Sequence, residues 1–258
     1  MTSDYEARLQ ALRAARLAEL SADDGWLNLT DRVELQPGSA TLGSAAGNDI
    51  VLSAGPAHLG TLTLEASGAA RLRPDGGAEL AFQPVPEKPP RLVAGGLLLE
   101  IHSVEGKPAL RVRDLAPERR AFAGLRYFPT DPGWCIRADW VALKAPQRLA
   151  VDMVNGASEG VTQTHSAEFV HNGVQVALVP THAKAGRPMF VFRDLTSRDL
   201  TYAASRFLYG TEIAGGKITL DFNTAFNPPC AFTDYAICPL PPRANILPFR
   251  IEAGELRP

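Results

Sequence analysis

From Trp26 onward the apolar residues of this chain recur at every second position, and that period decides what the chain can fold into. The pairs Leu27/Leu29, Val33/Leu35, Leu62/Leu64, Leu80/Phe82, Leu110/Val112 and Ile218/Leu220, with the triplet Val174/Val176/Leu178, alternate with polar neighbours. Side chains of an extended strand point alternately to opposite faces, so this pattern buries one face and wets the other. Between these segments lie Gly47-Asn48-Asp49, Asp75-Gly76-Gly77, Asn155-Gly156, Asn172-Gly173 and Gly215-Gly216, residues that tolerate the positive φ of tight turns. The prediction is an all-β protein, a mostly antiparallel sandwich or barrel. A doubly wound α/β fold needs helices of roughly 10 to 15 residues between its strands, and no such segments are found there.

One helix precedes the β pattern. Over residues 3 to 20, Ser3 and Glu6 make a capping box, while Tyr5, Leu9, Leu12 and Leu20 share one face at helical spacing. Arg16 intrudes on that face. Asp24-Gly25 ends the segment, because glycine accepts the left-handed conformation that terminates helices. The expected organisation is an N-terminal helix over 1–22, a β-sandwich over 23–115, and a second β-rich domain over 116–258. The crossing between the β regions is expected at Leu115-Ala116-Pro117-Glu118. The stretch Pro84-Val85-Pro86-Glu87-Lys88-Pro89-Pro90 reads either as a linker or as a stiff loop inside one β domain.

Charge and composition exclude several functions. With 26 Lys+Arg against 28 Asp+Glu, the net charge is -2, without the basic surplus of a nucleic-acid binder. No run approaches the roughly 18 consecutive apolar residues of a membrane-spanning helix. The first residues run into Arg8, Arg13 and Arg16 with no apolar leader, so a soluble cytoplasmic protein without nucleic-acid or membrane partners is expected. Three cysteines, Cys135, Cys230 and Cys238, are too few and uneven for a disulfide framework. Phosphate loops, dinucleotide fingerprints, His-Glu-x-x-His and Gly-x-Ser-x-Gly motifs are missing, and no cofactor is indicated.

The densest unusual chemistry lies between Arg193 and Glu255. Prolines at 228, 229, 239, 241 and 242 fix φ and remove backbone donors, so this block is expected to wrap over a sheet rather than sit in a central strand. A wrapping segment needs side chains to hold it, and Asp221, Asn223 and Asn227 can satisfy its stray donors and acceptors. In the functional alternative the same three converge with Tyr202 and Arg206 on a pocket for a small polar or anionic ligand, Arg206 meeting the anion with its planar fork. A second alternative is an enzyme, hydrolase or transferase-like, with Cys230 or Asp221 as nucleophile or proton carrier and His165, His171 or His182 as base. Cys230 and Cys238 lack the short spacing of a zinc site, and a buried structural thiol is the expected state of Cys230.

The strings Asp221-Phe222-Asn223 and Asn227-Pro228-Pro229-Cys230, with Cys238-Pro239-Leu240-Pro241-Pro242 and Ala253-Gly254-Glu255, resemble the prokaryotic family catalogued as domain of unknown function 1684. The resemblance extends to Asp24-Gly25-Trp26-Leu27 and Arg126-Tyr127-Phe128-Pro129 and implies a shared fold without an activity. Residues 41–60, with Gly43, Asn48-Asp49-Ile50 and His58, look like the forkhead-associated domain, a β-sandwich that reads phosphothreonine. That family's arginine and serine are replaced here by Ser44 and Gly55, which removes the charge-assisted bonds a phosphate needs. A phosphopeptide partner is therefore not expected, and His58 is read as a loop anchor. A protein-interaction role for this sandwich is the third functional alternative. One further composition stands out: Arg126-Tyr127-Phe128-Pro129 and Asp131-Pro132-Gly133-Trp134 combine aromatics with a cation, as a site for a ring-bearing ligand does. A hydrophobic cluster closing one end of a barrel explains it as well, and Trp134 and Trp140 are read first as core packing.

Overall fold

A computed structural model describes residues 3–104, 106–116 and 122–258. The proposed crossing at 115–118 lies partly outside these residues, as does the side chain of Ser3. The chain divides into two compact units, Ala18–Phe122 and a second that joins Met1–Leu17 to Ala123–Pro258. It is mostly antiparallel β-sheet with one N-terminal helix, as the alternating pattern predicts.

In the unit Ala18–Phe122, one sheet contains β1 (Leu29–Glu34), β7 (Gln83–Val85), β8 (Lys88–Ala94), β9 (Leu97–Val104) and β10 (Lys107–Asp114). Its order is β1-β10-β9-β8-β7. The other contains β2 (Gly38–Gly43), β3 (Ile50–Val51), β4 (Gly60–Leu64), β5 (Ala70–Pro74) and β6 (Leu80–Ala81), in the order β3-β2-β4-β5-β6. Leu42, Leu62 and Leu72 of the second sheet share one apolar core with Leu99, Leu110 and Val112 of the first. This is the sandwich solution for two amphipathic sheets. The Pro84–Pro90 stretch is a hairpin, β7 pairing with β8. Proline is tolerated in β7 because that strand is the sheet edge, where a missing N–H costs no ladder bond. His58 anchors its loop as expected, its Nδ1 lying 3.1 Å from Asn48 Oδ1.

The other unit is built on a sheet of β11 (Cys135–Asp152), β12 (Ser158–His171), β13 (Val174–Leu178), β14 (His182–Lys184), β15 (Arg187–Phe192), β16 (Arg206–Ala214) and β17 (Lys217–Asp221). The order is β13-β12-β11-β17-β16-β15-β14. Asn172 (φ 47°) and Gly173 (φ 77°) turn β12 into β13, the left-handed pair that a two-residue hairpin requires. Phe190, Phe192, Leu208, Ile218, Leu220 and Phe222 form the core. After Asp221 the described residues form no further named strand. The chain continues as short 3₁₀ turns and extended coil, the course its prolines dictate.

The helix α1 runs from Ser3 to Ser21, and its buried face differs from the expected one. Leu9 and Leu20 are buried but Leu12 is 50% exposed, whereas Tyr5, Arg13 and Arg16 are partly buried. The inward positions are thus 5, 9, 13, 16 and 20, a four-four-three-four spacing that includes both arginines. Arg16 does not break the stripe; it belongs to it, because a buried anion awaits it.

Candidate functional site

The C-terminal block is held to its sheet by buried polar side chains. Asn245 donates to Val179 O and Val191 O, both at 2.8 Å, and accepts from Val179 N at 2.9 Å. Arg206 and Asp194 form a salt bridge at 3.1 Å, each side chain 1% exposed. The guanidinium also donates to Ala253 O (2.5 Å) and Ile251 O (3.0 Å), and Asp194 accepts from Ile251 N at 2.6 Å. Burial lowers the Arg206 pKa while the Asp194 charge opposes it. Arg206, expected to meet an anionic ligand, is enclosed and faces a carboxylate and two carbonyls. Removing one partner of such a pair strands a buried charge, at a cost of about 3–5 kcal/mol.

Asn227 is equally enclosed. Its backbone N–H donates to Glu255 Oε2 (2.8 Å) and its amide to Leu256 O (2.7 Å). Arg16 completes this cluster, with Nε 3.3 Å from Glu255 Oε1 and Nη2 donating to Asn227 O at 2.8 Å. Its guanidinium also lies over the Phe226 ring, 4.8 Å from the centroid. Burial raises the Glu255 pKa, against the Arg16 charge that lowers it. Tyr202 is half-buried, and its hydroxyl donates to Cys230 O at 3.0 Å. The structure therefore distributes Tyr202, Arg206 and Asn227 among separate main-chain partners.

Asp221 and Asn223 do come together, with a partner the sequence reading did not name. The Tyr5 hydroxyl donates to both Asp221 carboxylate oxygens at 3.0 Å and accepts from Asn223 Nδ2 at 3.1 Å. Burial, and then the Asp221 charge, raises the Tyr5 pKa. Asn223 also clamps the backbone of Asp131 from both sides: Asp131 N donates to its Oδ1 at 3.0 Å and its Nδ2 donates to Asp131 O at 2.8 Å.

That clamp sets the wall of an open cleft. Asp131 caps the 3₁₀ turn Pro132–Trp134, its Oδ1 accepting from Gly133 N at 2.8 Å. The turn delivers Trp134 onto His171, the last residue of β12, with ring centroids 4.7 Å apart and planes 27° apart. His171 in turn lies 4.6 Å from Phe249, and Phe222 meets Trp134 edge-on at 6.1 Å. Arg250, held by Glu252 Oε1 (2.8 Å) and Asp199 Oδ1 (3.1 Å), completes the lining with Phe128, Pro129, Thr130 and Asn172. The cleft has a volume of about 540 Å³, within the range of about 300–1,000 Å³ typical of small-molecule sites.

Of the two strings singled out in the sequence for combining aromatics with a cation, Arg126–Pro129 and Asp131–Trp134, Phe128, Pro129, Asp131, Gly133 and Trp134 line the cleft, whereas Tyr127 and the cation itself, Arg126, do not belong to the lining. Arg250 was missed, and His171 was named only as a possible base for Cys230, not as part of this cleft. The only local signal for His171 is the Asn172-Gly173 turn, which places it at a hairpin end. Among the described residues no group of three or more His, Cys, Asp or Glu side chains is placed to hold a metal ion. No helix among them is long and apolar enough to cross a membrane.

Fold and site together define a mostly antiparallel β protein with a ring-lined cleft supported by its C-terminal coil. The chain belongs to the family described as Protein of unknown function (DUF1684), whose profile matches residues 120–256. It is also similar to an uncharacterized protein of Haloarcula marismortui solved by solution NMR. That match has 28% identity and a TM-score of 0.44, and covers 55% of this chain and 80% of that one. No curated protein matches the sequence.

Proposed function

We propose that the protein binds a small polar or anionic molecule bearing a flat ring, in the cleft beside Trp134, His171 and Arg250. The observation that carries this reading is the Asn223 clamp. A buried amide grips both backbone groups of Asp131, so the Trp134 wall is held in place by the core rather than left as a free loop. A preformed wall spares a ligand the entropy of ordering it. The stacked Trp134–His171 pair offers a π surface, and Arg250, paired with Glu252 and Asp199 but with its side chain 37% exposed, is the cation at the lining that a carboxylate or phosphate on the ring would meet. Asp221 and Asn223 act through the loop, and Tyr202, Arg206 and Asn227 hold the frame behind it. A reducing cytoplasm, with neither nucleic acid nor membrane as partner, fits the near-neutral charge and the three free thiols.

A thermal-shift screen with nucleoside monophosphates and aromatic carboxylates tests the proposal. A ligand present at about 100 times its Kd stabilises the folded state by about 2.7 kcal/mol. The expected result is a shift for at least one probe that Trp134→Ala abolishes and Tyr202→Phe retains. No shift with any probe, or a shift unaffected by Trp134→Ala, overturns it.

A further inference from the structure

Cys230 and Cys238 lie outside the cleft and share a small thiol cluster. Cys230 sits in the 3₁₀ turn Pro229–Ala231, half-buried, whereas Cys238 is buried. The backbone N–H of Cys230 donates to Cys238 Sγ at 3.3 Å, and the Cys230 thiol is hydrogen-bonded to that of Cys238. Both ends of the loop between them are fixed. Tyr202 holds the Cys230 carbonyl. On the other side Val154 N donates to Cys238 O at 3.0 Å, and Leu240 N to Asp152 O at 2.7 Å, at the end of β11.

We propose that Cys230 and Cys238 are a reversible dithiol site that reacts with hydroperoxides, Cys230 as the attacking thiolate and Cys238 as the resolving thiol. The Cys230 thiolate attacks one peroxide oxygen and the O–O bond breaks. The sulfur is oxidised by two electrons to sulfenic acid, and the departing hydroxide or alkoxide takes up a proton to become water or alcohol. Cys238 then attacks the Cys230 sulfur, the S–O bond breaks, and the hydroxide leaves as water with the Cys238 proton. Two thiols and one hydroperoxide thus give one disulfide, one water and one further water or alcohol. A thiol reductant reverses the product by exchange.

The asymmetry of the pair suits this division. The hydrogen bond from Cys238 lowers the Cys230 pKa to about 7 against the cost of burial. The same bond, with burial, raises that of Cys238. The nucleophile is therefore the less buried cysteine of the pair, and the resolving thiol is kept protonated beside it. Cys135 differs: partial burial and then the Asp221 charge raise its thiol pKa.

The test uses the full chain with Cys135→Ser to remove the third thiol. Treatment with stoichiometric hydrogen peroxide, followed by alkylation and peptide mass mapping, is expected to give a Cys230–Cys238 disulfide that dithiothreitol reverses. Iodoacetamide labelling of the untreated protein is expected to favour Cys230 over Cys238 by tenfold or more, with a rate midpoint near pH 7. In Cys238→Ser the sulfenic acid on Cys230 persists and is captured by dimedone. Should that variant not fold, peptide mapping of the native pair decides alone. Peroxide treatment that leaves both thiols free, or native Cys230 that resists iodoacetamide until the protein is unfolded, overturns the proposal.

Discussion

Replacing Asn223 by aspartate isolates the clamp that the cleft depends on. The native amide donates to Asp131 O at 2.8 Å and to Asp221 Oδ1 at 3.1 Å, while its oxygen accepts from Asp131 N at 3.0 Å. Aspartate keeps the acceptor and the shape but turns the donor end into an oxygen facing a carbonyl and a carboxylate. Asn223→Ala loses the two bonds to Asp131 and the one amide hydrogen shared between Tyr5 and Asp221, at a net cost of about 1 kcal/mol per bond and about 3 kcal/mol in all. In Asn223→Asp an ionised carboxylate would add an unpaired buried charge, bringing the cost to about 3–5 kcal/mol or beyond. Protonation restores one donor, so the folded-state pKa of the new carboxyl lies above its unfolded value near 3.9. Between those two values the native state holds a proton that the unfolded chain has released. The deficit of Asn223→Asp therefore grows as pH rises through that window, by about 1.4 kcal/mol per unit of pKa difference. Urea unfolding followed by tryptophan fluorescence, at about pH 4 and about pH 7 for both variants, measures it. Equal and pH-independent losses in Asn223→Asp and Asn223→Ala would refute the clamp as described.

Two further outcomes follow from buried charges. Arg16→Met leaves Glu255 without its cation and is expected to cost about 3–5 kcal/mol, more at neutral pH than near pH 5 because a protonated Glu255 needs no partner; adding Glu255→Gln should recover part of the loss. A single variant more stable than the double would contradict this. Burial, and then the charges of Arg111 and Arg32, lower the His102 pKa to about 4. Between that value and the ordinary 6.5 the unfolded chain holds the extra proton, so this contribution is fully present above about 6.5 and is lost as pH falls through the window. The loss is about 3 kcal/mol, at about 1.4 kcal/mol per pKa unit across that window. Histidine C2–H NMR titration reads the pKa directly, and a midpoint near 6.5 would remove the effect.

The local signals in this chain were strong where they concerned backbone geometry. Alternation from Trp26 onward requires strands because an extended chain points successive side chains to opposite faces. Asn172-Gly173 requires a hairpin because both residues accept positive φ, and the proline-rich block after Asp221 makes only isolated bridges among the described residues because its prolines lack donors. The aromatics Phe128 and Trp134 of the two strings noted in the sequence do reach the cleft wall, but the cation that drew attention to them, Arg126, does not. Asn223 was legible as a polar residue in need of partners, but which partners it takes was not.

Tertiary structure alone decided which charges are buried and what they face. Arg16 reads as a flaw in an apolar stripe until Glu255, 239 positions away, is placed against it. Arg206 has the composition of an anion site and the surroundings of a structural tie, because Asp194 and two carbonyls reach it first. His171 enters the cleft because the end of β12 meets the Trp134 turn, and Arg250 enters it only through the course of the C-terminal coil. Alternation and turn chemistry act between neighbours and are written in the sequence. The partner of a buried charge is set by which distant segments the fold brings within hydrogen-bond reach, and a linear pattern carries no record of that.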